Sequence, residues 1–402
     1  MARTVCLVGT LDTKGSEYLF VKEEIQRQGL SAFVVDCSTV GEPAFQADVT
    51  AQEIAAEVGR ERSELLAAKD PAAAIAAMSE GAANLVARLY REGEIHGLLV
   101  MGGGQGTAIG AAVMAGLPMG FPKVLVSTIA RVDKTPFLPV KDALVMDPIT
   151  DIVGMNGILR TVLTNAARAV CGMARDYTPC APAAAAQVGI SIFGVTTPCA
   201  ERVSRLLAGQ GFETLVFHAT GIGGATLEEL AGTGSLNGVI DLTLSEVSQE
   251  LFHGLCAGGP HRLEAAGHRG VPQIVVPGGV DFVNYMVGGV PAEYIGSHAF
   301  HMHNDTLTVM RLTPEESGRV GRVIAEKVNL SSGPVEVILP LGGVSAYDKP
   351  GMFFWDPAAD RALFQAIRET LLPRIPVIEA EHHINDPQFA QLLADRFARL
   401  RA

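Results

Sequence analysis

Gly97-Leu-Leu-Val-Met-Gly-Gly-Gly-Gln-Gly-Thr-Ala-Ile-Gly110 reads as an apolar strand that runs into a glycine turn and straight on into an Ala-rich helix. Five glycines fall within the nine residues 102–110, more than a chain reversal needs. Glycine lets backbone N–H groups approach an anion, and the N-terminus of the following helix adds a favourable dipole. The spacing of Gly104, Gly106 and Gly110 approaches a dinucleotide fingerprint, but that fingerprint belongs after the first strand of its unit and this one follows a later strand. The segment therefore argues for a phosphate or carboxylate ahead of NAD, with a ligand-free strand-to-helix turn as the plain alternative.

Outward from this segment the same alternation repeats. Strands are expected at Thr4–Val8, Ala32–Asp36, Gly97–Met101 and Lys123–Ser127, with helices at Gly15–Gln28, Ala51–Val58 and Ala72–Glu92. After Asp147-Pro148 the pattern predicts one long helix over Pro148–Met173, with Ile152, Met155, Ile158 and Leu159 on one face. A second series follows, with strands at Val188–Phe193, Thr214–His218, Gly238–Leu242, Gln273–Val276 and Val335–Leu339. Its helices are expected at Cys199–Gly209, Thr226–Ala231, Pro314–Lys327 and Pro357–Leu372. Strands alternating with helices mean βαβ units, so the expected class is α/β: two Rossmann-like, doubly wound subdomains with mainly parallel sheets. Their bounds are 1–178 and 188–402, joined by a Pro- and Ala-rich linker at 179–187.

Composition narrows the function. The 402 residues carry 31 Lys plus Arg against 43 Asp plus Glu, a formal charge of −12, which disfavours a nucleic-acid partner. With 48% hydrophobic and 18% charged residues, the chain is not of disordered type. No apolar run reaches the roughly 18 residues of a membrane span, and the N-terminus enters a strand without signal-peptide features, so a cytoplasmic protein that binds a small molecule is expected. The six cysteines are widely spaced with no C-x-x-C pair, as for reduced thiols in or near cores.

Other strand ends carry polar loops. Gly9-Thr-Leu-Asp-Thr-Lys-Gly-Ser16 lacks the Gly-Lys-Ser/Thr order of a P-loop, but Asp12, Thr13 and Lys14 sit at a carboxyl strand end, where open α/β sheets bind ligands; a helix N-cap is the alternative role. Ser127-Thr-Ile-Ala-Arg-Val-Asp-Lys-Thr-Pro136 gathers Ser127, Thr128, Arg131, Asp133 and Lys134, able to clamp an anion and place a carboxylate beside Mg²⁺. In the second half, Pro277-Gly-Gly-Val-Asp-Phe-Val-Asn284 precedes Phe300-His-Met-His-Asn-Asp-Thr306. His301 and His303 share one side of an extended segment and could hold a divalent metal, completed by Asp281, Asp305 or Glu293. Leu339-Pro-Leu-Gly-Gly-Val-Ser-Ala-Tyr-Asp348 offers Gly342 and Gly343 for a second anionic group, or a plain turn.

These loops together resemble the UPF0261 family, the Tm-1-like ATP-binding proteins, across essentially the whole length. The resemblance rests on Gly9-Thr-Leu-Asp-Thr-Lys14, Gly102-Gly-Gly-Gln-Gly-Thr107, Pro122-Lys-Val-Leu-Val-Ser-Thr128 and Asp151-Ile-Val-Gly-Met-Asn156. It continues through Pro277-Gly-Gly-Val-Asp281, His303-Asn304, Met310-Arg311, Thr313-Pro-Glu-Glu316, Leu339-Pro-Leu-Gly-Gly-Val-Ser345 and Phe354-Trp-Asp-Pro357. It implies ATP bound in a cleft between two α/β subdomains. The plant member carries a TIM-barrel region as well, so the resemblance implies a separate TIM-barrel protein as a candidate partner. Two departures stand out: Ala130-Arg-Val-Asp-Lys-Thr-Pro136 replaces the usual Ser-Gly-Asp-Thr-Ser-Pro, and His301-Met-His-Asn-Asp305 replaces Tyr-Val-His-Asn-Pro.

The first expectation is thus a protein that binds ATP with Mg²⁺ or another phosphorylated or anionic ligand, leaning toward a metabolic enzyme acting on a small carboxylated metabolite. N–H groups of Gly103, Gly104 and Gly106 would meet the phosphates, with Gln105 and Thr107 beside them. Lys14 would supply charge, Asp133 would hold Mg²⁺, and Gly106→Val would abolish binding with the fold intact. Asp133, Asp281 and His303 are the candidate catalytic residues, and Asn304 a candidate ligand contact. The alternatives are a lyase or hydrolase using a divalent transition metal on His301 and His303, and a non-catalytic nucleotide-binding regulator. A homodimer is expected from the frequency of two-fold assemblies.

Overall fold

The computed structural model describes residues 3–130, 141–179 and 185–401. The expected site residues Arg131, Asp133 and Lys134, and Cys180 with most of the expected linker, lie outside the described residues. The chain divides into two units, Met1–Ala181 and Pro182–Ala402.

The N-terminal unit runs β1 (Thr4–Gly9), α1 (Leu11–Arg27), β2 (Ser31–Asp36), α2 (Ala51–Ala56), α3 (Arg62–Ala67), α4 (Pro71–Arg91), β3 (Gly97–Gly102), α5 (Gly104–Ala115), β4 (Lys123–Ser127), β5 (Leu144–Met146) and α6 (Gly157–Arg175). Its five strands lie in the order β2-β1-β3-β4-β5, all parallel. Alternate residues feed two cores. Cys6, Val8, Leu98, Val100 and Leu125 pack on one face with α2, α4 and α5, while Val5, Leu7, Leu99, Met101, Val124 and Val126 pack on the other with α1 and α6. A sheet covered on both faces explains why its strands read as continuous apolar runs.

The expected helix over Pro148–Met173 is corrected: α6 starts at Gly157. Ile149 (φ 67) and Gly154 (φ 71) are in the left-handed region, which a continuous helix cannot contain. Asn156 caps the true start by accepting the Leu159 N–H at 2.9 Å. Ile152 and Leu159 still share one core, whereas Ile158 is exposed.

The C-terminal unit runs β6 (Ala186–Ile192), α7 (Thr197–Ala208), β7 (Phe212–His218), α8 (Ile222–Gly232), β8 (Gly238–Thr243), α9 (Ser245–Leu251), α10 (Ala265–Arg269), β9 (Gln273–Gly278), β10 (Phe282–Met286), β11 (Phe300–Met302), β12 (Leu307–Arg311), α11 (Pro314–Val328), β13 (Val335–Pro340), α12 (Pro357–Thr370), β14 (Val377–Ala380) and α13 (Pro387–Arg401). The strand β6 begins inside the expected linker. Six parallel strands lie in the order β7-β6-β8-β9-β13-β14, and β10-β12-β11 form a separate antiparallel sheet. Counted within each parallel sheet, both follow the order second, first, third, fourth, fifth, with a sixth strand, β14, added at the edge in the C-terminal unit. No described helix is long and apolar enough to cross a membrane.

Candidate functional site

In a sheet ordered 2-1-3-4-5 the connections leave the first and third strands in opposite directions, opening a crevice at their carboxyl ends. In the N-terminal unit this crevice lies between the ends of β1 and β3. Tyr18 of α1 fills its base: its hydroxyl donates to the Val8 carbonyl at 2.6 Å and accepts the Met101 N–H at 2.8 Å. A Cβ at Gly9 would overlap that ring.

On the β3 side, α5 starts directly after the turn, and among the described residues no side chain caps it. The leading N–H groups of a helix have no acceptors within it, so they are available to a ligand. The glycines here have different reasons to be glycine. A Cβ on Gly106 would sit 2.9 Å from the Met101 carbonyl oxygen, and one on Gly110 would press Val100 and Leu125 at 3.2 Å, so both are fixed by packing. Gly104 would meet nothing within 4 Å, and Gly103 only the Thr128 hydroxyl at 3.5 Å. Gln105 is exposed alongside them. Because Gly106 is wedged against β3, the expectation that Gly106→Val spares the fold is corrected.

Several expected ligand contacts are occupied by the protein itself. Thr107 Oγ1 donates to the Gly103 carbonyl at 2.8 Å and lies 2.7 Å from Ser127 Oγ; both residues are buried. Thr128 is exposed, and its N–H donates to the Gly102 carbonyl at 3.2 Å.

On the β1 side, α1 begins at Leu11, so Asp12, Thr13 and Lys14 occupy its first turn rather than a free loop. Asp12 Oδ2 accepts the N–H groups of Val40 (2.9 Å) and Gly41 (3.0 Å), holding the loop after β2. Thr13 is exposed, with its hydroxyl 2.9 Å from that of Thr10. Lys14 interrupts the helix (φ −127°, ψ 21°) and has no ion pair among the described residues. Glu17 is a residue the sequence reading missed: it is 2% exposed, accepts Ser16 Oγ at 2.8 Å, and keeps one carboxylate oxygen unpartnered among the described residues.

The C-terminal unit brings together a different set. Asp281, after β9, is 2% exposed; Ser345 Oγ donates to its Oδ2 at 2.8 Å. Arg311 Nη1 donates to the Asp281 carbonyl at 2.9 Å, while Nη2 reaches Asp360 at 3.2 Å and Asp348 at 3.7 Å. Three buried carboxyls thus face one guanidinium. Burial pushes Asp281 up to about 7, against the pull of Arg311 and with the like charge of Asp348 adding. It also pushes Asp360 up to about 8, with Asp348 the next cause, and it raises Asp348 too. Burial raises all three and the like charges of Asp281, Asp348 and Asp360 oppose their joint ionisation beside a single guanidinium. Sequence could not assemble this group, since its members span 281 to 360 and none falls in a motif spacing.

His301 stacks on Phe353, ring centroids 3.8 Å apart, and His303 Nδ1 is 3.3 Å from the Tyr347 hydroxyl. Both therefore neighbour Tyr347, whose ring lies 6.4 Å from that of His301. Yet no group of three or more His, Cys, Asp or Glu among the described residues could hold a metal ion, so the set expected from Asp281, Asp305 or Glu293 is not assembled. Asn304 does not stand free for a ligand: its Oδ1 accepts the N–H groups of Thr306 and Leu307, both at 2.9 Å, and closes the β11–β12 turn. Gly342 and Gly343 are also committed to packing. A Cβ on Gly342 would meet the His383 N at 2.5 Å, and one on Gly343, at φ 123°, the Asp348 carbonyl oxygen at 1.9 Å.

The described cysteines are buried free thiols. Burial pushes Cys171 and Cys256 up to about 11 and Cys199 up to about 12, and raises Cys6 and Cys37 as well, the reverse of a reactive thiolate.

The sequence matches the Uncharacterised protein family (UPF0261) N-terminal domain over residues 3–179 and its C-terminal domain over residues 185–401. A UPF0261 protein of Clostridium tetani is 37% identical over 100% of this chain and 99% of its own length. The ToMV resistance protein Tm-1 of Solanum lycopersicum is 32% identical over 99% of this chain, which spans 56% of that protein. A solved structure described as a putative UDP-N-acetylglucosamine 2-epimerase from Listeria monocytogenes is 10% identical, covers 68% of this chain and 79% of that one, and gives a TM-score of 0.25, too low to carry an argument.

Proposed function

The chain belongs to the UPF0261 family, and on that premise we propose that its N-terminal unit seats ATP or another phosphorylated or carboxylated small ligand at the ends of β1 and β3. One observation carries the reading: among the described residues no side chain caps the start of α5, where a Cβ on Gly104 would meet no atom within 4 Å and one on Gly103 only the Thr128 hydroxyl at 3.5 Å. Without side chains there, an anion can reach the first-turn N–H groups and the positive end of the helix dipole. Lys14 adds positive charge from the facing first turn, and the hydroxyls of Thr10 and Thr13 supply donors.

The chemistry proposed for this seat is positioning and charge neutralisation of a transferred or activated group, which demands few covalent residues. A Mg²⁺ ion would arrive on the phosphates and take carboxylate and water ligands; no role beyond the sequence expectation is given to Asp133. We read the protein as an enzyme of small-molecule metabolism, cytoplasmic and homodimeric, with a separate TIM-barrel protein as a candidate partner. Light scattering and co-purification test the last two.

Calorimetric titration with ATP and Mg²⁺, followed by chromatography of the nucleotide, tests the central reading. Micromolar binding with ADP or AMP appearing supports a nucleotide-using enzyme, and binding without turnover supports a regulator. Gly104→Asp should abolish binding by placing a carboxylate in the seat. Unchanged affinity in that variant would overturn the site, and no heat with ATP or with pyrophosphate would overturn the phosphate chemistry.

A further inference from the structure

The segment Phe354-Trp-Asp-Pro357 takes no part in the N-terminal seat, and its own surroundings are unusually defined. Trp355 is the single tryptophan of the chain. The backbone is pinned on both sides of it. Arg311 Nε donates to the Phe354 carbonyl at 2.9 Å, and Asp356 Oδ1 caps α12 by accepting the N–H groups of Ala358 (2.9 Å) and Ala359 (3.2 Å). Between these anchors the indole is half-buried, and its N–H has no acceptor among the described residues. The indole N–H is not sealed from solvent and is free to donate to a ligand.

Trp355 lines a cavity of about 270 Å³ with Leu341, Pro357, Phe364, Asp360, Arg361 and Arg368. Arg361 and Arg368 are seven residues apart on α12, hence two turns apart on one side of the helix. Arg368 pairs with Glu379. Arg361 has no carboxylate partner among the described residues. The adjacent Asp360 does not neutralise it, because that carboxyl is held by Arg311. The cavity therefore combines an apolar wall, a rigidly placed ring with a donor at its edge, and an unpaired guanidinium. A flat apolar body bearing one carboxylate matches all three: the ring lies against Trp355 and Phe364, and the carboxylate accepts from the indole N–H and Arg361.

We propose that this cavity of the C-terminal unit is a second ligand site, which takes a small planar carboxylate. Because Trp355 is the only tryptophan, its emission reports the site without ambiguity. The test is a fluorescence titration of the full chain with benzoate, with acetate as the ringless anion. Benzoate should give a saturable, submillimolar response, with acetate at least about tenfold weaker. Arg361 is exposed, so Arg361→Gln should keep its circular dichroism while weakening benzoate about tenfold or more. A response that does not saturate, acetate binding as tightly as benzoate, or an Arg361→Gln titration matching the wild type would each overturn the proposal. None of these readings depends on the N-terminal seat.

Discussion

Both units order their strands alike, yet their glycine-rich loops are built for opposite purposes. In the N-terminal unit, among the described residues, a Cβ on Gly104 would meet nothing within 4 Å and one on Gly103 only the Thr128 hydroxyl, in front of a helix that no side chain caps. In the C-terminal unit, the glycines after β9 and β13 are filled by protein: a Cβ on Gly278 would meet the Leu242 carbonyl oxygen at 2.2 Å, and Gly342 and Gly343 press against His383 and Asp348. The third strand of that unit, β8, ends without glycine, and Glu246 of α9 turns back to cap α8 by accepting the N–H groups of Gly221 (2.7 Å) and Gly224 (3.0 Å). The start of α8, which follows the second strand of its unit, is thus satisfied by an internal carboxylate, whereas among the described residues no side-chain acceptor meets the start of α5. One letter of sequence serves two physical ends, and only neighbouring atoms separate them.

The largest effect should come from Gly343→Ala. Its φ of 123° and the Asp348 oxygen at 1.9 Å leave a methyl group no place without moving backbone, at a cost on the order of 3 kcal/mol or more. Urea denaturation measures it; a loss within experimental error would show that this loop is as open as that of the N-terminal unit. Gly106→Val is the intermediate case, because its 2.9 Å approach to Met101 is one that a small shift of α5 could relieve. About 1–3 kcal/mol is expected.

The carboxyl group around Arg311 distinguishes the units by pH. An Asp whose carboxyl titrates at about 3.8 when unfolded and about 8 when folded keeps its proton longer in the native state. The native state then binds more protons across that window, so stability falls as pH rises from about 4 to about 8 and is level beyond. Asp281, raised to about 7, acts in the same direction. Asp360→Asn removes the titration and keeps the volume, so its stability relative to wild type should grow from acid to alkaline pH. Chemical denaturation at intervals across the range measures that difference, and a constant difference would mean that Asp360 does not titrate there.

Much of this architecture was legible because buried parallel strands read as apolar runs: β1, β2, β3 and β4 sit within a residue or so of where the sequence places them. The antiparallel sheet was not, since β11 has three residues and its partner β12 lies beyond a turn whose Asn304 reads equally as a ligand contact. The start of α6 was hidden because Asp147-Pro148 and Asn156-Gly157 are both plausible helix openings, and the left-handed Ile149 that decides between them has no sequence signature. At the candidate site, the glycines of residues 102–110 marked the strand-to-helix turn between β3 and α5. They did not reveal which positions serve packing, nor that Thr107 and Ser127 bond each other, because both depend on how closely α5 lies against β3 and β4.

The smallest change in stability carries the sharpest reading. Gly104 is the first residue of α5, has no left-handed φ, and its Cβ would meet no atom of the described residues within 4 Å. Gly104→Ala should be neutral or stabilising by up to about 1 kcal/mol, from helix propensity alone. Gly104→Asp adds a negative charge at the positive end of the helix and should stabilise by a further few tenths of a kcal/mol at low salt. The same charge repels an incoming phosphate or carboxylate, so stability and affinity should move in opposite directions in one variant. A packing glycine would lose both together, as expected for Gly106→Val. If Gly104→Asp instead lowers the melting temperature, the space in front of α5 is already occupied by protein, and the contrast between the two units disappears.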